Sequence, residues 1–223
     1  MKPMRLVVFD IDGTLTRTND VDEICYVAAV EEALSISGID TDWTSYPHVT
    51  DSGILRHVVQ SSLGRVVLAE EVDRVCRCFH GLLEDAFRRQ PDSCLPVEGG
   101  PGMLRYLAGK SGVAVALATG GWESTARLKL ERAGYDIRDI PLASSSDADT
   151  REEIMRIAEI RARDRHGVAG FETITYVGDG AWDARAAASL GWRFLGVGTG
   201  EQAARLEREG AFAVIDHYLN GIF

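Results

Sequence analysis

Two aspartates, Asp10 and Asp12, directly follow the short apolar segment 5–9 of this 223-residue sequence. Such a segment is typical of a buried strand in a parallel sheet, and these sheets bind ligands beyond the carboxyl ends of their strands. The two carboxylates are one residue apart and would project into the same region, where Gly13 allows a sharp turn. They suit a hard cation such as Mg²⁺, and one of them could instead attack phosphorus as a nucleophile.

Two other interpretations apply to this motif. A calcium-binding EF-hand loop requires glycine at its sixth position, but the sixth residue counted from Asp10 is Leu15. A solvated loop is the second alternative, because an Asp-x-Asp pair after an apolar segment is common by chance. The motif alone leaves that alternative open.

A similar acidic group, Asp179 and Asp183, follows the apolar segment 174–177. Asp183 could equally cap a helix or act as an acid of its first turn, and these roles are compatible with ligand binding. Four carboxylates at one edge of a sheet would repel one another unless a divalent cation neutralised them. The two groups together therefore favour a metal site.

Polar and basic residues lie between the two acidic groups. Thr119 and Gly120 follow the apolar segment 113–118, and a hydroxyl with free backbone N–H groups can bind phosphate oxygens. Thr119 could instead cap a helix. Arg151 begins a charged amphipathic segment, where the alternative is an exposed residue at a helix start.

The elements that must position these residues alternate between strands and helices. The segments predicted as strands are 5–9, 113–118, 173–177, 194–197 and 212–215. This alternation predicts an α/β fold with a Rossmann-like parallel sheet and helices on both faces. Between about residues 20 and 90 apolar residues recur at helical spacing, which indicates an α-helical insertion. We expect a core of residues 1–16 and 96–223 and a helical cap of residues 17–95.

The composition limits the possible partners. The chain has 24 Lys and Arg residues against 34 Asp and Glu residues, a net charge of -10 that disfavours nucleic-acid binding. The first apolar segment is too short for a signal peptide, and no stretch approaches the roughly 18 apolar residues of a membrane span. We expect a cytoplasmic protein with neither a membrane nor a nucleic-acid partner.

Taken in order, these groups resemble the four motifs of the haloacid dehalogenase (HAD) superfamily. The first motif is Asp-Ile-Asp-Gly-Thr at 10–14, the second contains Thr119, and the fourth is Gly-Asp at 178–179 with Asp183. The third motif is a basic residue, more often Lys than Arg. Arg151 is assigned to it here, with Arg156 and Lys129 as alternatives. The resemblance covers essentially the whole chain.

The helical insertion resembles the C1-type cap of this superfamily, and the chain looks similar to its phosphoglycolate phosphatases. The resemblance implies that Asp10 is a nucleophile that forms an aspartyl-phosphate, and that Asp12 is the general acid and base. It also implies a Mg²⁺ ion held by Asp10, the backbone carbonyl of Asp12, and Asp179, with Asp183 close by or acting through water. An acid at Asp12 argues against dehalogenation, because a halide leaves without a proton.

By the same resemblance, Thr119, the Gly120 N–H and Arg151 would hold the phosphate oxygens. Residues 50–57 are predicted to form a loop that faces the site. Within it, Gly53-x-x-Arg56 resembles a cap signature of some C1 members. Arg56 could pair with a carboxylate or second phosphate of the substrate, or could be a surface residue at a helix start.

The sequence therefore predicts a Mg²⁺-dependent phosphatase whose substrate is a small phosphorylated metabolite. Two alternatives stay open. One is a phosphomutase of the β-phosphoglucomutase type, which would transfer phosphate between positions of a sugar. The other is a catalytically silent binding protein on the same fold.

Overall fold

The computed structural model describes residues 4–219 together with Gly221 and Phe223. The strands are β1 (Arg5–Phe9), β2 (Thr16–Arg17), β3 (Leu95–Pro96), β4 (Val113–Ala118), β5 (Leu142–Ala143), β6 (Thr173–Gly178), β7 (Arg193–Val197) and β8 (Ala213–Ile215). The helices are α1 (Asn19–Leu34), α2 (Asp51–Leu63), α3 (Ala69–Arg89), α4 (Gly100–Ala108), α5 (Glu123–Arg132), α6 (Arg151–His166), α7 (Ala181–Ser189) and α8 (Gly200–Arg208). No helix in this described part of the chain has the length and apolar character needed to cross a bilayer.

Six strands form one parallel sheet in the order β5-β4-β1-β6-β7-β8. Strand β1 shows how the sheet is covered on both sides, since alternate side chains of a strand point to opposite faces. Val7 and Phe9 pack in one apolar cluster with residues of α4 and α5, whereas Leu6 and Val8 pack in another with residues of α6 and α7. The predicted α/β fold with a Rossmann-like parallel sheet is confirmed.

Helices α1, α2 and α3 are inserted between β2 and β3. These two short strands pair antiparallel, so the chain enters and leaves the insertion at one place. Within the insertion α1 packs on α3, and their aromatic side chains reach the core. The rings of Tyr26 and Phe79 lie 5.9 and 6.2 Å from the ring of Trp122, measured between centroids. The helical insertion is therefore packed against the sheet domain, and its exact division from the core at 17–95 stays a prediction.

Residues 50–57, predicted as a loop, instead form the start of α2. The hydroxyl of Thr50 accepts a hydrogen bond from the Gly53 N–H at 3.0 Å and so caps the helix. The polar residues that suggested a loop are those that a helix N-terminus requires. Strands β2, β3 and β5 escaped prediction because each has only two residues, too few for a periodic pattern.

Two tyrosines from distant parts of the sequence hold the loop that follows Asp12. The Tyr218 hydroxyl donates to the Thr14 carbonyl at 2.9 Å, and the Tyr135 hydroxyl donates to the Leu15 carbonyl at 2.6 Å. The Leu15 carbonyl also accepts from the Val97 N–H at 2.8 Å. Both tyrosines are buried, so these bonds are shielded from water.

We predict that Tyr218→Phe destabilises the fold more than Tyr135→Phe. Without the Tyr218 hydroxyl, the Thr14 carbonyl keeps no other hydrogen-bond donor among the described residues, at a cost of about 1–3 kcal/mol. The Leu15 carbonyl keeps a second donor, so the loss there is about 1 kcal/mol or less. Urea unfolding of the two variants measures the difference, and equal or reversed losses would contradict the prediction.

Candidate active site

The predicted acidic and polar residues meet at the carboxyl edge of the sheet. Asp10 follows β1, Thr119 follows β4 and Asp179 follows β6, and these three strands are neighbours in the sheet. All three side chains line one cavity of about 230 Å³, together with Arg151 at the first residue of α6. Asp183 is fully buried beneath it, in the first turn of α7. The parallel topology is what brings these distant residues together.

Arg56 lies apart from this group. It sits on α2 and pairs with Asp149 at 2.9 Å, with 56% of its side chain exposed. In α2, Asp51 and Ile54 line the cavity, together with the helix N-cap residue Thr50. The structure therefore gives Arg56 a surface ion pair and no contact with the other predicted site residues.

Arg151 is the buried cation of the site. Its Nη1 donates to Asp10 Oδ1 at 2.9 Å, and its Nε lies 3.5 Å from Asp183 Oδ1. Burial alone would lower the pKa of Arg151, but the carboxylates of Asp183 and Asp10 raise it on balance. A permanent charge is thus held beside Asp10, in the place that the third motif was predicted to occupy.

Three carboxylates form a compact oxygen cluster. Asp10, Asp179 and Asp183 each offer one oxygen within 4.8 Å of the others. Burial raises the pKa of all three, and for Asp10 and Asp179 the nearby Asp183 carboxylate is the next cause. Asp183 Oδ1 is buried without a hydrogen-bond partner among the described residues, while Oδ2 accepts from the Gly180 N–H at 3.0 Å. An oxygen-only donor set with an orphaned buried oxygen fits a hard divalent cation.

The loop after β4 presents polar groups to the cavity. The hydroxyl of Thr119 accepts from the Gly121 N–H at 3.2 Å, and the N-cap of α5 is Trp122, so Thr119 does not cap that helix. Gly120 must lack a side chain, because a Cβ there would lie 2.7 Å from Nη2 of Arg151. The Gly120 N–H has no acceptor within the described chain, which leaves it free for a ligand.

Lys129 links Asp12 to the inserted helices. Its Nζ donates to both carboxylate oxygens of Asp12, at 2.6 and 2.8 Å, and to Asp22 of α1 at 2.6 Å. Lys129 has no exposed surface. Burial alone would lower its pKa, but Asp12 and Asp22 raise it overall, and burial raises the pKa of Asp22 to about 6. Lys129 therefore contacts Asp12 and not Asp10, unlike Arg151.

Lys129, one of the alternatives for the third-motif cation, has a sequence context that indicates burial. Ala126 and Leu130 of α5 and its C-cap residue Ala133 recur at helical spacing and are buried, and Lys129 falls on the same face. A lysine on an apolar helix face is almost never fully buried unless it is paired. Its position therefore indicated a buried carboxylate partner, although not which one.

Asp51 is a second site residue that the sequence did not single out. It lies in the first turn of α2, where an acid is ordinary, so its position gave no signal. Only tertiary packing places it in the cavity wall, with Oδ2 accepting from the Trp122 N–H at 2.8 Å. Burial, followed by the charge of Asp22, raises the pKa of Asp51.

We predict that Lys129→Met lowers the free energy of unfolding by about 3–5 kcal/mol, because it leaves two mostly buried carboxylates, each with a side chain 20% exposed, without a cation. The double variant Lys129→Met with Asp22→Asn should recover part of this loss. Urea unfolding at neutral pH tests both. A single variant as stable as the wild type would contradict the ion-pair geometry.

A pH-dependent prediction follows from Asp179. Burial, then repulsion from Asp183, raises its pKa from an ordinary 3.8 to about 7. Between those values the folded protein keeps a proton that the unfolded chain has lost, so stability falls as pH rises. With chelator present, Asp179→Asn should therefore have a higher Tm than the wild type. The difference in Tm should increase by at least about 3 °C between pH 5 and pH 8. A constant difference would contradict the prediction.

Comparison with known proteins identifies the family of the chain. The sequence model of the haloacid dehalogenase-like hydrolase family matches residues 4–191. None of the curated proteins compared with this chain matches it.

Solved structures share the fold at low sequence identity. A hydrolase from Pseudomonas syringae is 22% identical, with a TM-score of 0.65 over 96% of this chain and 93% of its own. CbbY from Rhodobacter sphaeroides, solved in complex with phosphate, is 19% identical with a TM-score of 0.68 over 96% and 94% of the two chains. A predicted phosphoglycolate phosphatase from Haemophilus somnus is 15% identical with a TM-score of 0.64 over 97% and 96%. With the family match extending from β1 through α7, the chain belongs to the haloacid dehalogenase-like hydrolase family.

Proposed function

We propose that this protein is a Mg²⁺-dependent phosphatase that hydrolyses small phosphomonoesters through a phosphorylated Asp10. The observation that carries the proposal is the pairing of the Asp10 carboxylate with Arg151 at 2.9 Å, on the floor of a cavity that Thr119 and Gly120 also line. A nucleophile and groups able to hold phosphate oxygens thus face one small space. The family's hydrolase description is consistent with this chemistry.

The oxygen cluster fits Mg²⁺ as the resident metal. Asp10, Asp179 and Asp183 would hold it, with the backbone carbonyl of Asp12. When bound, Mg²⁺ would screen the repulsion between an anionic nucleophile and an anionic phosphate.

In the first step a carboxylate oxygen of Asp10 attacks phosphorus in line with the leaving oxygen. The new Asp10–phosphorus bond forms as the bond to the leaving alkoxide breaks, and Asp12, in its protonated form, gives that oxygen a proton. Arg151, the Thr119 hydroxyl and the Gly120 N–H stabilise the negative charge on the three remaining phosphate oxygens.

The second step releases phosphate. Asp12, now a carboxylate, takes a proton from water as the water oxygen attacks phosphorus, and the Asp10–phosphorus bond breaks. Inorganic phosphate leaves, Asp10 is again a carboxylate and Asp12 is again protonated. In this structure both oxygens of Asp12 accept from Lys129, and Oδ1 also accepts from the Thr18 hydroxyl. Asp12 must therefore take up a proton from solvent and turn one oxygen towards the substrate before the first step.

We predict that Asp10→Asn lowers kcat for p-nitrophenyl phosphate by at least about 10³-fold, because the amide cannot act as the nucleophile. Chelation of divalent cations should abolish wild-type turnover, and added Mg²⁺ should restore it. Release of p-nitrophenolate with and without chelator measures both effects.

The matched control is Asp164→Asn, the same substitution at an exposed position of α6. It should keep wild-type turnover. Circular dichroism of the Asp10→Asn variant verifies its fold, and full activity in a folded Asp10→Asn protein would refute the proposed mechanism.

A further inference from the structure

The cavity wall that the insertion contributes is strongly acidic. Four carboxylates on this wall come from the inserted segment: Asp20, Asp22, Glu23 and Asp51. Among the described residues that line the cavity, Arg151 is the one basic side chain, and it is already paired with Asp10.

Three of these four carboxylates lack a cationic partner. Asp22 is neutralised by Lys129 at 2.6 Å. Glu23 accepts only from the neutral indole N–H of Trp43, at 3.0 Å. Asp51 accepts from a backbone N–H, and Asp20 is an exposed side chain that forms no ion pair within the described part of the chain. Lys129, which is bonded to Asp22, also attracts Asp51 through space, so within the described chain one lysine serves several carboxylates on the insertion side of the cavity.

Asp51 is the most informative of the three. Its exposed fraction is 8%, so it is more than nine-tenths buried, yet it lines the cavity. Its Oδ2 accepts from the Trp122 N–H, and its Oδ1 has no partner within residues 4–219 or at Gly221 and Phe223. Oδ1 is therefore accessible from the cavity, where a donor group of a ligand can reach it. A positively charged ligand group in the cavity would supply that donor.

Aromatic rings complete the same wall. Tyr26 and Trp43 line the cavity from the insertion, and Trp182 lines it from the core. Trp43 packs edge-to-face on Tyr26 with ring centroids 6.2 Å apart, and its N–H is bound to Glu23, so the ring is held in place. Aromatic faces next to carboxylates attract organic cations, because the negative face of the ring adds to the carboxylate charge.

The same charges disfavour an anionic leaving group. A phosphate ester would use Arg151 for its phosphate, and Lys129 is fully buried between Asp12 and Asp22. Arg56, expected from the sequence to meet a second anion, pairs with Asp149 outside the cavity. A carboxylate or second phosphate on the leaving group would face Asp51 and Glu23, while Lys129, whose charge reaches Asp51, is already bonded to Asp12 and Asp22.

We infer that the substrate is the phosphate ester of a small amino alcohol, whose ammonium group binds between Asp51, Glu23 and the Trp43 ring. The inference rests on the proposed phosphatase function, to which it adds the charge of the leaving group. A cavity of about 230 Å³ lies below the range of about 300–1,000 Å³ typical of drug-sized ligands, which favours a leaving group of few atoms.

The test compares three esters of similar size that differ in the charge of the tail: O-phosphoethanolamine, propyl phosphate and phosphoglycolate. We expect kcat/KM to be at least about tenfold higher for O-phosphoethanolamine than for propyl phosphate, and lowest for phosphoglycolate. Asp51→Asn and Glu23→Gln keep the hydrogen-bond acceptors but remove the charge. Each substitution should lower the ratio of kcat/KM for O-phosphoethanolamine to kcat/KM for propyl phosphate. The exposed control Asp73→Asn on α3 should leave this ratio unchanged.

p-Nitrophenyl phosphate separates this inference from the function on which it rests. If that ester and propyl phosphate are hydrolysed but O-phosphoethanolamine is no better a substrate, the charge inference is overturned and the phosphatase function stands. The inference is also overturned if phosphoglycolate is the best of the three esters. If none of the four esters is hydrolysed with Mg²⁺ present, both proposals fail.

Discussion

Mutual repulsion among buried carboxylates is the constraint on which this structure depends. Asp10, Asp179 and Asp183 crowd the carboxyl edge of the sheet within 4.8 Å of one another. Such a group is costly to bury unless cations lie close to it. Arg151 meets this need from the start of α6, and a bound divalent cation would meet the rest. Gly120 leaves room for Arg151, because a Cβ at position 120 would lie 2.7 Å from Nη2 of its guanidinium.

A second buried cation, Lys129, pairs with carboxylates of both the core and the insertion. Lys129 holds Asp12 on the sheet domain and Asp22 on α1 at once, so Asp12 is tied to the inserted helices on the other side of the cavity. The apolar packing of Tyr26 and Phe79 around Trp122 fixes those helices in place. The carboxylate cluster of the core and the acidic side chains of the insertion thus line one cavity and are joined through Lys129.

Most of the core site could be predicted because its residues are tied to strand ends. Asp10, Thr119 and Asp179 each end an apolar segment, and parallel strands place such ends at one edge. Arg151 does not directly follow a strand, and its assignment rests on its position between the second and fourth motifs. Residues 50–57 were misassigned because a polar stretch looks alike in a loop and at a helix N-terminus. Arg56 could not be placed, since its partner Asp149 is 93 residues away in the sequence and their contact depends on how α2 packs against the core.

The sequence by itself determined the alternation of the longer strands with helices, the carboxylates at the strand ends and the resemblance to a hydrolase family, because these depend on local spacing and side-chain type. Tertiary structure alone decided which cation meets which carboxylate. Lys129 and Arg151 lie 22 residues apart on different helices, and nothing in local spacing assigns one to Asp12 and the other to Asp10. It also placed Asp51 in the cavity wall with an open oxygen. Charge pairing acts through space over a few ångströms, and only the folded chain sets those distances.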